Sequence, residues 1–211
     1  ALPSAHRERV DRLMPTLLAA AGASSAPDSC WRYCCDLIET VSRRGAYLSL
    51  LDEYPIARMR VSRMLAASPW AANFLIKHPL LLDELLDSRT LLTPPDFKQW
   101  KQQLRDLLDQ AKLPDGQPDL ERQMDLIREQ HHAQLFRVLT QDLENLLTVE
   151  HVSDLLSELA DCTLEIILER AWDQLPKRHR AQPRFAVVAY GKHGGKELGY
   201  SSDLDLIFLF E

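Results

Sequence analysis

Apolar residues recur every three or four positions through most of this chain, which is the spacing of amphipathic helices. A clear case follows Pro27-Asp28, where the apolar positions are Trp31, Cys34, Leu37, Ile38 and Val41. Ser68-Pro69 has the order of a helix N-cap followed by a proline in the first turn. We therefore expect a succession of helices and turns from residue 1 to about residue 176.

The two longest helices are predicted over residues 119–147 and 152–175. In the first, apolar side chains keep the helical spacing at Leu120, Met124, Ile127, Leu135 and Leu139. Because the link between them is short, the two helices should form an antiparallel pair. We expect this pair to pack on the earlier helices, with few polar groups in the seam.

Composition changes after residue 176, where a basic, proline-bounded segment precedes two apolar runs. Residues 185–190 and 203–210 each have the length and composition of a β-strand. Only about a dozen residues join them, fewer than a parallel crossover with its helix needs. The short link therefore favours an antiparallel pair with a tight loop and a helical turn.

Charge and cysteine usage limit the class of protein. The net charge of -6 and the pI near 5.7 argue against a nucleic-acid partner, because such proteins present a basic face. The four cysteines lack zinc-ligand spacing and indicate reduced thiols. No signal peptide and no apolar run long enough to span a membrane are recognisable. We expect a cytoplasmic protein without membrane or nucleic-acid partners, and an excised fragment of a longer chain.

A glycine-rich turn leads into two aspartates at the head of the second apolar run. The residues are Gly191, Gly194, Gly195, Asp203 and Asp205. Glycines let backbone N–H groups approach a polyphosphate, and paired carboxylates can hold Mg²⁺ against it. Because strand side chains alternate, Asp203 and Asp205 should share a face beside Gly194 and Gly195, at the wet head of a buried strand. The plainer alternative is a capping Asp203 and a surface Asp205, but the glycines favour nucleotidyl transfer.

The motif from Gly191 to Leu206 reads Gly-x-x-Gly-Gly-x-Glu-Leu-x-x-Ser-Ser-Asp-x-Asp-Leu. It resembles the nucleotidyltransferase motif of the bifunctional glutamine synthetase adenylyltransferase/adenylyl-removing enzymes. That family has two such catalytic halves, and this motif is more similar to the C-terminal, adenylylating half. Upstream, Ser68-Pro69-Trp70 and residues 47–51 and 78–87 resemble the helical linker between the halves. The resemblance covers nearly the whole chain, with His193 where the family usually has Leu.

The resemblance implies an enzyme that transfers AMP from ATP to a tyrosine hydroxyl of glutamine synthetase, regulating nitrogen assimilation. Asp203 and Asp205 would be its catalytic Mg²⁺ ligands. The residues that would bind the nucleotide are Gly194, Gly195, Lys192 and Ser202, although Ser202 has the alternative role of shaping the turn into the strand. A third acid is expected from a later strand, so we expect the 211-residue chain alone to be inactive.

The expected fold class is mainly α, a helical bundle followed by a truncated α+β nucleotidyltransferase domain with two strands. Residues 1–118 would be a helical interdomain linker, 119–176 the long helix pair, and 177–211 the incomplete domain. The resemblance also implies the PII signalling protein as a partner and glutamine as a possible effector. Two alternatives are a non-catalytic helical module that couples two catalytic halves and docks PII, and a nucleotidyltransferase with another substrate.

Overall fold

The computed structural model of the chain describes residues 2–178, 180–181 and 184–210. Contacts divide it into two compact units, one reaching up to Thr93 and the other beginning at Pro94. Helix predominates, and the described residues contain one sheet of two antiparallel strands. The predicted class, mainly α with a small antiparallel sheet, is confirmed.

The unit up to Thr93 is helical. Its elements are α1 (Ser4–Gly22), α2 (Pro27–Val41), α3 (Gly45–Glu53), α4 (Pro55–Ala67), α5 (Pro69–Lys77), a 3-10 helix (Pro79–Leu86) and α6 (Ser88–Leu92). A proline in the first turn starts α2, α4 and α5, where its missing N–H costs no helical hydrogen bond. The Ser68 hydroxyl accepts a hydrogen bond from the Ala71 N–H, so the predicted cap of α5 is confirmed.

Three long helices build most of the second unit. They are α7 (Phe97–Gln110), α8 (Leu120–Leu143) and α9 (Val149–Asp173). Each is preceded by an N-cap residue whose side-chain oxygen accepts a backbone N–H of the first turn, namely Asp96, Asp119 and Thr148. The start of α8 and the end of α9 line one groove, and His131 in α8 contacts Thr163 in α9. The helices α8 and α9 therefore run antiparallel to each other.

A row of ion pairs joins α7 to α9. Lys101 pairs with Glu165, Arg105 with Glu165 and Glu169, and Asp109 with Arg170. Because residue numbers rise together along both helices, α7 and α9 run parallel, with α8 antiparallel to them. The row lies at the surface, so each pair contributes at most about 1 kcal/mol to stability.

The seam around α8 and α9 is more polar than the sequence predicted. Five polar side chains of these helices are buried, namely Gln123, Gln134, Thr140, Gln141 and Ser157. Conversely, Leu120 and Met124, which were expected to be buried, are exposed. The reason is that the Gln123 amide donates to the Leu108 carbonyl of α7, so the face through Gln123 is the one that α7 covers. The expectation of a seam with few polar groups is wrong.

The sheet pairs β1 (Phe185–Tyr190) with β2 (Asp205–Phe210), and the short helix α10 (Gly191–Gly194) follows β1 directly. Tyr190 pairs with Asp205, so the predicted antiparallel hairpin with a helical turn is confirmed. The second strand begins at Asp205, and Asp203 lies in the loop before it. Within the described residues, β1 is the one strand beside β2, and the side chains of Ile207 to Phe210 are exposed rather than buried as predicted.

The helix α7 belongs to the same compact unit as α8 and α9. The sequence placed α7 within region 1–118, whereas the contacts divide the chain at Thr93/Pro94. His179, Gln182 and Pro183 of the predicted basic segment lie outside the described residues.

Replacing Leu104 of α7 by Ala tests the packing of the second unit. Leu104 is fully buried, so we expect Leu104→Ala to lower the free energy of unfolding of this unit by about 2–5 kcal/mol. Leu107→Ala on the same helix is the matched control, because Leu107 is 37% exposed and should cost less than half as much. Hydrogen exchange of amides in α7, α8 and α9 measures both values. Equal losses for the two variants would contradict the placement of α7.

Candidate functional site

The turn after β1 is built around Gly191. Its φ of +54° lies in the left-handed region, which glycine adopts without the steric cost of a side chain. A Cβ added at Gly191 would lie 2.2 Å from Oδ2 of Asp205, so that carboxylate rests against the glycine backbone. The pairing of Tyr190 with Asp205 across the hairpin produces this approach. The structure therefore brings the glycine turn and one predicted carboxylate together.

The short helix α10 ends in a Schellman motif. The Glu197 N–H donates to the Lys192 carbonyl at 2.7 Å, and the Lys196 N–H donates to the His193 carbonyl at 3.1 Å. Lys196 takes the left-handed conformation that closes the motif, with a φ of 54°. These bonds fix the path of the backbone over the segment that the sequence assigns to phosphate binding.

Gly194 and Gly195, the two glycines predicted to bind the nucleotide, differ in their surroundings. A Cβ at Gly194 would come within 2.6 Å of the Ala189 carbonyl oxygen, so the turn packs on β1 only with glycine there. A Cβ at Gly195 would meet its nearest atom at 3.5 Å, which is ordinary contact. Gly191 is the position that the sequence prediction undervalued. Its signal was its place directly after the strand, opposite the start of the next one.

A second turn, between Gly199 and Ser202, precedes the two aspartates. The Ser202 N–H donates to the Gly199 carbonyl, and the Ser202 hydroxyl accepts from the Gly199 N–H, both at 3.0 Å. Of the two roles left open for Ser202, shaping this turn is thus observed. Its hydroxyl hydrogen remains available to a ligand, because a serine hydroxyl can donate and accept at once.

Asp203 and Asp205 are both exposed, and Asp205 is the first residue of β2 whereas Asp203 lies two residues before it. Strand alternation therefore describes Asp205 but not Asp203, which precedes the strand. Mg²⁺ is commonly held by one or two carboxylates together with substrate phosphates and water. Two exposed carboxylates two residues apart supply the type of ligand that this description requires. Among the described residues, no group of three or more His, Cys, Asp or Glu side chains is placed to hold a metal ion without such help.

One side of α10 and of the loop that follows it faces the long helices. The His193 ring is 4% exposed, and its Nε2 lies 2.9 Å from Oδ1 of Asp161 in α9. The Tyr200 hydroxyl donates to Asp142 of α8 at 2.9 Å. Burial, and then this hydrogen bond, raise the pKa of Tyr200, so its hydroxyl keeps its proton. The predicted phosphate contact Lys192 lies on the exposed side of the same turn.

Hydropathy along the helices adds one observation. Within the described ranges, no helix is both long enough and apolar enough to cross a membrane.

Comparison with known proteins gives a consistent family. Residues 59–211 match the family model described as glutamate-ammonia ligase adenylyltransferase. Relatives named bifunctional glutamine synthetase adenylyltransferase/adenylyl-removing enzyme share 55% identity in Aromatoleum aromaticum and 53% in Bordetella bronchiseptica, each over 210 residues that cover the whole chain. A Ralstonia nicotianae relative of the same name is 49% identical over 211 residues.

This chain spans 22% of the length of each of those relatives. Because the family model matches well over half of its residues, the chain belongs to the glutamate-ammonia ligase adenylyltransferase family.

Proposed function

We propose that residues 190–210 form part of a nucleotidyltransferase site that transfers AMP from ATP. The observation that carries the proposal is the contact of the Asp205 carboxylate with the Gly191 backbone. A polyphosphate bound along the glycine turn would meet this carboxylate at the point where the turn enters the sheet. Family membership supports ATP as the substrate.

The residues of the loop have distinct tasks in this proposal. Backbone N–H groups around Gly194 and Gly195 approach the triphosphate, and Lys192 adds a positive charge at the exposed edge. Asp203 and Asp205 would hold Mg²⁺. When bound, the ion neutralises charge that develops on the phosphate oxygens. The Schellman motif and the Gly199–Ser202 turn hold these groups in place before the nucleotide arrives, which reduces the entropy cost of binding.

The acceptor is proposed to be a tyrosine of glutamine synthetase in the cytoplasm. The names of the relatives support glutamine synthetase as the target. The PII protein as a partner, glutamine as an effector, and assignment to the adenylylating half rest on the sequence resemblance alone.

The first test is to neutralise each carboxylate. A chimera in which this chain replaces the matching segment of the Aromatoleum aromaticum relative provides an assay for AMP transfer to glutamine synthetase and for AMP removal. We expect Asp203→Asn or Asp205→Asn to lower transfer by about a hundredfold or more, because each variant removes charge from the metal site. Removal should be unchanged, since it belongs to the other catalytic half.

Asp115→Asn is the matched control, because Asp115 lies in an exposed loop between α7 and α8 and the same charge is lost. We expect it to retain both activities. If Asp203→Asn and Asp205→Asn abolished removal and left transfer intact, the chain would belong to the removing half.

A second test concerns Gly191. We expect Gly191→Ala to strain the left-handed backbone by about 1–2 kcal/mol and to displace the Asp205 carboxylate. Gly195→Ala, which has ordinary space around its Cβ, should disturb the same loop far less. Faster hydrogen exchange over residues 191–206 in Gly191→Ala alone is the expected result. Similar exchange in both variants would show that Gly191 places no constraint on the site.

A further inference from the structure

The segment from His193 to Tyr200, which begins in α10 and continues into the loop before β2, is tied to the long helices at both of its ends. Near its start, the Nε2 atom of His193 lies 2.9 Å from Asp161 of α9. Near its end, the Tyr200 hydroxyl lies 2.9 Å from Asp142 of α8. Leu198, between them, is 4% exposed. We refer to the two hydrogen bonds as the loop anchors.

The donor and the acceptor of the His193 anchor follow from the chemistry of its two side chains. A carboxylate can only accept, so Nε2 carries the hydrogen and donates it to Asp161. The other ring nitrogen, Nδ1, is buried and finds no partner among the described residues. A buried polar atom without a partner is unfavourable, and an apolar side chain of similar size would avoid it. Packing alone therefore does not explain a histidine here, whereas the bond to Asp161 does.

The Tyr200 anchor uses a carboxylate, Asp142, at a position where the helix dipole disfavours a negative charge. Asp142 lies in the last turn of α8, where a negative charge opposes the helix dipole. The end of α8 is fixed by a second Schellman motif, in which Leu146 donates to the Gln141 carbonyl and Asn145 has a φ of 58°. The carboxylate is thus held at a defined point, and the high pKa of Tyr200 keeps its hydroxyl a donor.

The anchors stand next to the groups proposed for chemistry. His193 follows Gly191 by two residues, and Tyr200 precedes Asp203 by three. Each anchor therefore positions one segment of the site. The His193 anchor positions the glycine turn that contacts Asp205, and the Tyr200 anchor positions the loop that carries Asp203. Because the anchors are on different helices, a displacement of α8 against α9 would move the glycine turn and the loop that carries Asp203 apart.

We propose that in this chain, which has His193 where the family usually has Leu, Asp161 with His193, and Asp142 with Tyr200, are positioning pairs through which α8 and α9 set the geometry of the nucleotide loop for AMP transfer. This inference rests on the proposed function of the loop. None of the four side chains is proposed to touch ATP. They act by holding Gly191, Asp203 and Asp205 at the separation that the reaction requires, and small displacements of such groups reduce rates strongly.

The test uses single replacements in the chimera described above. His193→Leu and Asp161→Ala remove one anchor, and Tyr200→Phe removes the other. We expect each to lower kcat for AMP transfer about tenfold, with a smaller change in KM for ATP and no change in AMP removal. Asp161→Asn keeps an acceptor oxygen and should restore most of the rate. Asp154→Ala, an exposed aspartate elsewhere on α9, is the matched control and should be neutral.

Combining variants separates the two anchors. His193→Leu with Asp161→Ala should be no worse than either alone, because both remove the same bond, whereas His193→Leu with Tyr200→Phe should multiply the two losses. Unchanged kcat in Asp161→Ala and Tyr200→Phe, or an equal loss in Asp154→Ala, would overturn the proposal.

Amide hydrogen exchange over residues 191–204 of the same proteins measures how firmly the anchors hold this segment, independently of enzyme activity. We expect faster exchange in His193→Leu, Asp161→Ala and Tyr200→Phe, and near-normal exchange in Asp161→Asn. If Asp205→Asn left transfer intact while the anchor variants still loosened the loop, the proposed function would fail and the anchoring would stand. Unchanged exchange in the anchor variants would refute the anchoring itself.

Discussion

The close approach of the Asp205 carboxylate to the Gly191 backbone is the constraint on which the site depends. The carboxylate occupies the space that a side chain at residue 191 would need, and the hairpin register brings the two positions together. In the same turn, α10 starts in a left-handed conformation at Gly191 and packs through Gly194 onto Ala189. The geometry of the glycine turn is thus coupled to the pairing of the two strands.

Features that depend on local chemistry could be predicted from the sequence. Ser68 before Pro69, the apolar spacing after Pro27, and the short link between the strands each fix their structure within a few residues. Of the two aspartates, Asp205 was placed correctly at the head of the strand. Asp203 was not, because β1 ends at Tyr190 opposite Asp205 and the chain then turns into α10, so no strand residue is left to pair with Asp203.

Features that depend on distant partners could not be predicted. The exposed positions of Leu120 and Met124 follow from the packing of Gln123 on Leu108, which lies in another helix. The burial of His193 follows from its bond to Asp161, more than thirty residues away. In both cases a polar side chain is buried because a partner reaches it. Hydrophobic periodicity, which treats polar residues as exposed, assigns such positions to the wrong face.

The row of charges between α7 and α9 has a consequence for how these helices can slide. Lys101 and Arg105 of α7 meet acids, but Asp109, one turn further, meets Arg170. A displacement of one helical turn in one direction would set Asp109 against Glu169, and in the other it would set Arg105 near Arg170. Either shift opposes like charges, so the reversal of sign along the row selects a single register. Surface pairs that contribute little to stability can still decide which of several similar packings the two helices adopt.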